Sequence, residues 1–93
     1  MNRYVLITGA AGGLGRSFAV ECAERGWDLF LTDRYDAPLR DLARALSRSH
    51  GVAVETAPCD LADPQCRKDL YGQLRALDAR PWMLLNVAGL DFE

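Results

Sequence analysis

Eight residues near the N-terminus, Thr8-Gly9-Ala10-Ala11-Gly12-Gly13-Leu14-Gly15, hold most of the chemical information in this sequence. A glycine-rich turn that opens a helix leaves backbone N–H groups bare and aims them at one point. The partial positive charge at a helix N-terminus makes that point suitable for a phosphate. Each glycine has a separate use. Gly9 lets the chain turn sharply, Gly13 presents no Cβ to an approaching pyrophosphate, and Gly15 lets the helix pack close to the preceding strand. The plain alternative is a glycine-rich turn that binds nothing.

Asp33 is the second residue that can do chemistry. It stands 24 residues after Gly9, and the dinucleotide-binding pattern expects an acid roughly 20 residues on, accepting hydrogen bonds from the adenosine ribose. A carboxylate there repels a 2′-phosphate and favours NAD over NADP. Arg34 follows at once and can stack on adenine or offer charge to a 2′-phosphate, so it pulls the other way. The plain alternative is that Asp33 only begins a turn. One competing motif is weak. Gly15-Arg16-Ser17 echoes the end of a phosphate-binding P-loop, but Ala10 stands where its first glycine belongs, and Arg16 replaces the lysine whose compact charge that loop needs.

These residues need elements to hold them. Arg3–Thr8 is a continuous apolar run of β-formers, as expected of a strand buried on both faces. From Gly13 the pattern turns helical, with Leu14, Phe18, Cys22 and Ala23 as its apolar positions and Ala19 beside them, and Gly26 stops it. Trp27–Thr32 reads as a second strand closing at Asp33. A second helix starts at Asp36 or Ala37, has Pro38 in its first turn, and ends near His50-Gly51; Leu39, Leu42, Ala43 and Leu46 form its stripe. Val52–Ala57 reads as a third strand. Asp63-Pro64 is an N-cap with proline at the first helical position, and the helix after it runs to about Leu77 with Cys66, Leu70, Leu74 and Leu77 facing inward. Asp78–Pro81 reads as a polar turn and Trp82–Asn86 as a fourth strand. Strands alternating with helices imply a parallel sheet with right-handed crossovers.

Composition limits the rest. Ninety-three residues make at most one small domain. A net charge of −2 with interleaved signs does not form the basic stripe of a nucleic-acid binder and argues against an anionic membrane surface. The longest apolar runs are far short of the roughly 20 residues that span a bilayer. Three cysteines, Cys22, Cys59 and Cys66, are an odd set without close pairing, which points to reduced thiols and a cytoplasmic location. With His50 distant from all three, no metal site is expected. Cys22 and Cys66 read as core residues, and Trp27 and Trp82 as packing at strand starts.

Taken together, the residues resemble the short-chain dehydrogenase/reductase family in its classical form. Its T-G-x-x-x-G-x-G motif is matched from Thr8 to Gly15. The family's acid and apolar residue after the third strand correspond to Asp60-Leu61, and its N-[NV]-A-G segment after the fourth strand to Asn86-Val87-Ala88-Gly89. The resemblance covers essentially the whole chain. It implies a three-layer Rossmann α/β fold with four parallel strands in the order 3-2-1-4, a truncated doubly wound sheet. It also implies a cofactor site made of Gly9, Gly12, Gly13, Leu14, Gly15, Asp33, Arg34, Asp60, Leu61, Asn86, Ala88 and Gly89. NADP-using members often carry a base just before the second motif glycine; Gly12 is there, so NAD is expected and NADP is less favoured.

The family's catalytic residues, a serine and Tyr-x-x-x-Lys, have no counterpart here. Four residues after Tyr4, Tyr35 and Tyr71 stand Thr8, Leu39 and Arg75. Residues 1–93 are therefore expected to be the N-terminal dinucleotide-binding part of a hydride-transferring oxidoreductase, inactive alone. The alternative is a non-catalytic nucleotide-binding or assembly module of the same fold. A sugar-nucleotide epimerase relative is disfavoured, since those use T-G-x-x-G-x-x-G. The fourth strand would be an apolar edge, and self-association through it is expected.

Overall fold

The computed structural model of the chain describes residues 2–77 and 79–87. The elements are β1 (Asn2–Thr8), α1 (Gly13–Glu24), β2 (Asp28–Asp33), α2 (Asp36–His50), β3 (Val54–Pro58), α3 (Pro64–Ala76) and β4 (Ala79–Asn86). The strands make one sheet in the order β3-β2-β1-β4, every pair parallel. This is the expected Rossmann arrangement.

Its layers follow from where alternate strand residues point. Leu29, Phe30, Leu31 and Thr32 of β2 are all buried, as befits a strand covered on both faces. Leu29 and Leu31 join Val5 and Ile7 of β1 beneath Ala19 and Cys22 of α1 and Leu39, Leu42 and Leu46 of α2. Phe30 faces the opposite way and packs with Tyr4 and Ala57 against Leu70 and Leu74 of α3. Full burial of side chains this size contributes about 1.5–3 kcal/mol each.

The helix ends match their residues. Gly26 adopts φ +80° just past α1, and its N–H donates to the Ala23 carbonyl at 2.9 Å. Gly51 closes α2 at φ +67°, and Arg48 lies in that helix's last turn, where a positive charge interacts favourably with the helix dipole. Asp63 caps α3 by accepting the Gln65 N–H at 2.9 Å, with Pro64 following.

Four expectations need correction. First, Leu14 and Phe18 are exposed; α1 buries Gly15, Ala19, Cys22 and Ala23 instead. A stripe of small residues brings that helix close to the sheet and turns the larger side chains outward. Leu77, at the end of α3, is exposed as well. Second, Ala79–Pro81 are not a turn. They pair with Asn2, Arg3 and Tyr4, after which Val5 pairs with Met83, so Trp82 is the extra residue of a β-bulge. An edge strand or bulge tolerates proline and charge, which is why this stretch reads as polar connection. Third, Val52 precedes β3 and is buried in the core; Ala53 is held there by its N–H to Asp28 Oδ1 and its carbonyl to the Leu29 N–H, each 2.9 Å. Fourth, β2 begins at Asp28, so Trp27 stands before it. Asp78 and the side chain of Trp82 lie outside the described residues.

Candidate functional site

The chain leaves β1 at Thr8 and turns through Gly9, whose φ of +64° is open to glycine at little cost. The Ala10 N–H donates to the Thr32 carbonyl and the Gly12 N–H to the Gly9 carbonyl, both at 3.2 Å. The turn is thus tied to β2 before α1 starts. A Cβ on Gly15 would collide with the Gly9 carbonyl and come within 2.9 Å of Ala10 Cα, whereas one on Gly13 would meet nothing within 4 Å. The fold therefore requires glycine at position 15 and leaves space beside position 13. No side chain caps α1 and no acid lies in its first turn, so the helix's N-terminal partial charge is not offset by its own residues.

Asp33, the last residue of β2, joins three loops. Its Oδ2 accepts the Ala11 N–H at 3.0 Å, its Oδ1 accepts the Tyr35 N–H at 3.4 Å, and its carbonyl accepts the Cys59 N–H at 2.8 Å. Arg34 is exposed, with its guanidinium carbon 5.3 Å from the centre of the Tyr35 ring. Past β3, Asp60 shapes its own loop: Oδ1 accepts the Ala62 N–H at 3.0 Å and its carbonyl accepts the Asp63 N–H at 2.9 Å, a turn typical of aspartate.

These loops enclose a cavity of about 560 Å³ at the carboxyl ends of the strands, where open parallel sheets bind ligands. Of the residues expected from sequence, Gly9, Gly12, Asp33, Arg34, Asp60 and Leu61 line it. Gly13, Leu14 and Gly15 form the first turn of α1 next to it. Asn86 is not on the cavity wall; its Oδ1 accepts the Thr8 hydroxyl at 2.8 Å, holding the end of β4 to the start of the glycine turn. Ala88 and Gly89 lie outside the described residues.

Among the described residues, Thr32, Tyr35, Pro38 and Ala62 line the cavity and escaped the sequence reading. Tyr35 and Pro38 reach it from the start of α2. Thr32 also lines it, and its fully buried hydroxyl has no hydrogen-bond partner among the described residues. A buried unpaired hydroxyl is costly. The one available signal was a threonine directly before Asp33 in an apolar strand. Cys59 lies on the same wall, and burial, reinforced by the Cys66 thiol and by Asp60 and Asp63, pushes its pKa up. It is therefore a neutral thiol near neutral pH.

The family model for short chain dehydrogenases matches residues 3–93. The chain belongs to the short-chain dehydrogenase family. Among curated relatives, sulfoacetaldehyde reductase 2 of Chromohalobacter salexigens is 40% identical over 90 residues, covering 97% of this chain and 35% of that protein. Very-long-chain 3-oxoacyl-CoA reductase-A of Danio rerio is 32% identical over 76 residues, covering 77% of this chain and 24% of its own length. This short-chain dehydrogenase chain thus spans about a third or less of these relatives. Among solved structures, a short-chain dehydrogenase from Sphingobium yanoikuyae in complex with NADPH is 39% identical with a TM-score of 0.72, covering 81% of this chain and 29% of that one. L-sorbose reductase from Gluconobacter frateurii, complexed with NADPH and L-sorbose, is 28% identical with a TM-score of 0.76, over 81% and 28% of the two chains. No helix among the described residues is long and apolar enough to cross a membrane.

Proposed function

We propose that residues 1–93 are the N-terminal dinucleotide-binding part of a short-chain dehydrogenase that moves hydride between a nicotinamide and a carbonyl or alcohol carbon. The observation that carries this reading is the convergence of the glycine turn, the uncapped start of α1 and the Asp33 carboxylate on one cavity. The free space beside Gly13 is the local fit for a pyrophosphate, because the protein itself does not use it. In this reading the N–H groups around Gly12, Gly13, Leu14 and Gly15 hold the phosphates and Asp33 holds the adenosine ribose. Asp60 and Leu61 flank the adenine, while Asn86, Ala88 and Gly89 serve the nicotinamide side. A bound nicotinamide supplies the hydride chemistry, and this part of the protein positions it. The reductases among the relatives support the substrate class.

For cofactor choice we infer NAD, because a carboxylate at the ribose repels a 2′-phosphate. A second reading, NADP, is favoured by Arg34 on the same cavity wall and by the NADPH held in the Sphingobium and Gluconobacter structures. We further infer a cytoplasmic location and self-association, a second copy pairing along the β4 edge. Calorimetric titration of the chain with NAD and with NADP tests the main reading. Saturable binding of one of them is expected, tighter for NAD; binding of neither would favour a module that keeps the fold without the cofactor.

A further inference from the structure

Asp33 is held from the side of the glycine turn, and this sets what it can do. Its Oδ2 accepts the Ala11 N–H at 3.0 Å, while its Oδ1 accepts the longer 3.4 Å bond from Tyr35. Ala11 lies in the middle of the turn, between the Ala10 N–H bonded to Thr32 and the Gly12 N–H bonded to Gly9. The carboxylate therefore supports the turn at the residue between those two backbone bonds. It also cannot swing away from an incoming 2′-phosphate without giving up that support. Arg34, the cation that could draw such a phosphate, lies over the Tyr35 ring.

We propose that Asp33 is a positioning residue as well as a ribose ligand: the Ala11 N–H pins its carboxylate, so that one side chain both sets the shape of the glycine turn and fixes a negative charge at the ribose. This rests on the dinucleotide reading of the site, but its first half stands without any ligand. The two roles separate by substitution. Asp33→Asn removes the charge and keeps an oxygen for the Ala11 N–H, whereas Asp33→Ala removes both.

The test is amide hydrogen exchange on the full chain without dinucleotide, followed by titration with NAD and NADP. The Phe30 and Leu31 amides of β2 serve as the internal reference for an intact sheet. The Ala11 amide should exchange about tenfold faster in Asp33→Ala than in the unaltered chain, and within about threefold of it in Asp33→Asn, as loss or retention of one hydrogen bond implies. Asp33→Asn should then bind NADP more tightly than the unaltered chain does, and about tenfold more tightly than Asp33→Ala does. Equal Ala11 exchange in all three chains would overturn the anchoring role, whatever the titrations give. Anchoring seen by exchange with no dinucleotide bound by any chain would overturn the ribose role and the reading it rests on. Should Asp33→Ala disturb the reference amides, a scalar coupling across the hydrogen bond from the Ala11 nitrogen to the Asp33 carboxyl carbon, measured in the labelled unaltered chain, decides the anchor; its absence would refute it.

Discussion

On one face of the sheet, α1 and α2 together cover Val5, Ile7, Leu29 and Leu31; on the other, among the described residues, α3 is the helix that packs on Tyr4, Phe30 and Ala57, with Cys59 and Leu61 of the loop after β3 beside it. β4 records the difference within three residues. Met83 and Leu85 pack against the two-helix cluster, while Leu84 between them is 58% exposed. A parallel sheet is stable when both faces are covered; on the second face α3 packs over residues of β1, β2 and β3 and also meets β4, yet Leu84 there stays largely exposed. Among the described residues, the cavity of the candidate site is lined from the carboxyl ends of β1, β2 and β3 and the loops after them.

Substitutions can break or sharpen that contrast. The largest effect belongs to Leu31→Ala on the two-helix face, expected to lose about 4 kcal/mol of stability, against about 2 kcal/mol for Leu74→Ala on the inward side of α3, where neighbours can relax toward solvent. Urea denaturation compares the two, and equal losses would contradict the difference in packing. Next is Asp63→Ala, which removes the cap of α3 and should cost about 1 kcal/mol; no change in the urea midpoint would show that α3 is held by packing alone. Leu84→Lys should leave stability within about 0.5 kcal/mol and lower the mass measured by light scattering at high concentration. A monomeric mass for the unaltered chain would dispose of the proposed β4 pairing.

The gentlest effect is alkaline. Burial raises the pKa of Tyr4 on the α3 face, helped by Glu55 and Asp28, and that of Cys22 on the other face and Cys59 at the cavity. Each group ionises in the unfolded chain at a lower pH than in the folded one. Below the ordinary thiol and phenol range both states are protonated and stability is unaffected. Above it the unfolded state binds fewer protons, so stability falls as pH rises toward the folded values. Thermal unfolding from pH 7 to 10.5 should show a declining midpoint, and a flat profile would contradict the burial of these groups.

The order of strands and helices was legible because each strand is an apolar run and α2 and α3 carry wide stripes such as Leu39, Leu42 and Leu46. The inward face of α1 was not, because its contact is made by Gly15, Ala19 and Ala23, and hydrophobicity pointed to Leu14 and Phe18 instead. The start of β4 was hidden by a bulge and by residues suited to an edge. At the site, Asp33 could be found from its distance to Gly9, and Asp60-Leu61 from the resemblance to the family's pattern after the third strand. The bond from Ala11 to Asp33 could not, since it depends on how two loops meet once the sheet has formed, and the unpaired hydroxyl of Thr32 emerges only from the packing around it.

The central claim is that the glycine turn exists to take a dinucleotide's phosphates, and Gly13 isolates it. Gly13→Val adds side-chain atoms where the protein has open space, so the urea midpoint should stay within about 0.5 kcal/mol of the unaltered chain. Calorimetric titration of that variant with NAD and NADP should show binding reduced beyond detection while the fold is intact. Unchanged affinity in a folded Gly13→Val chain would mean that the phosphates do not approach this turn and that the site has been misread.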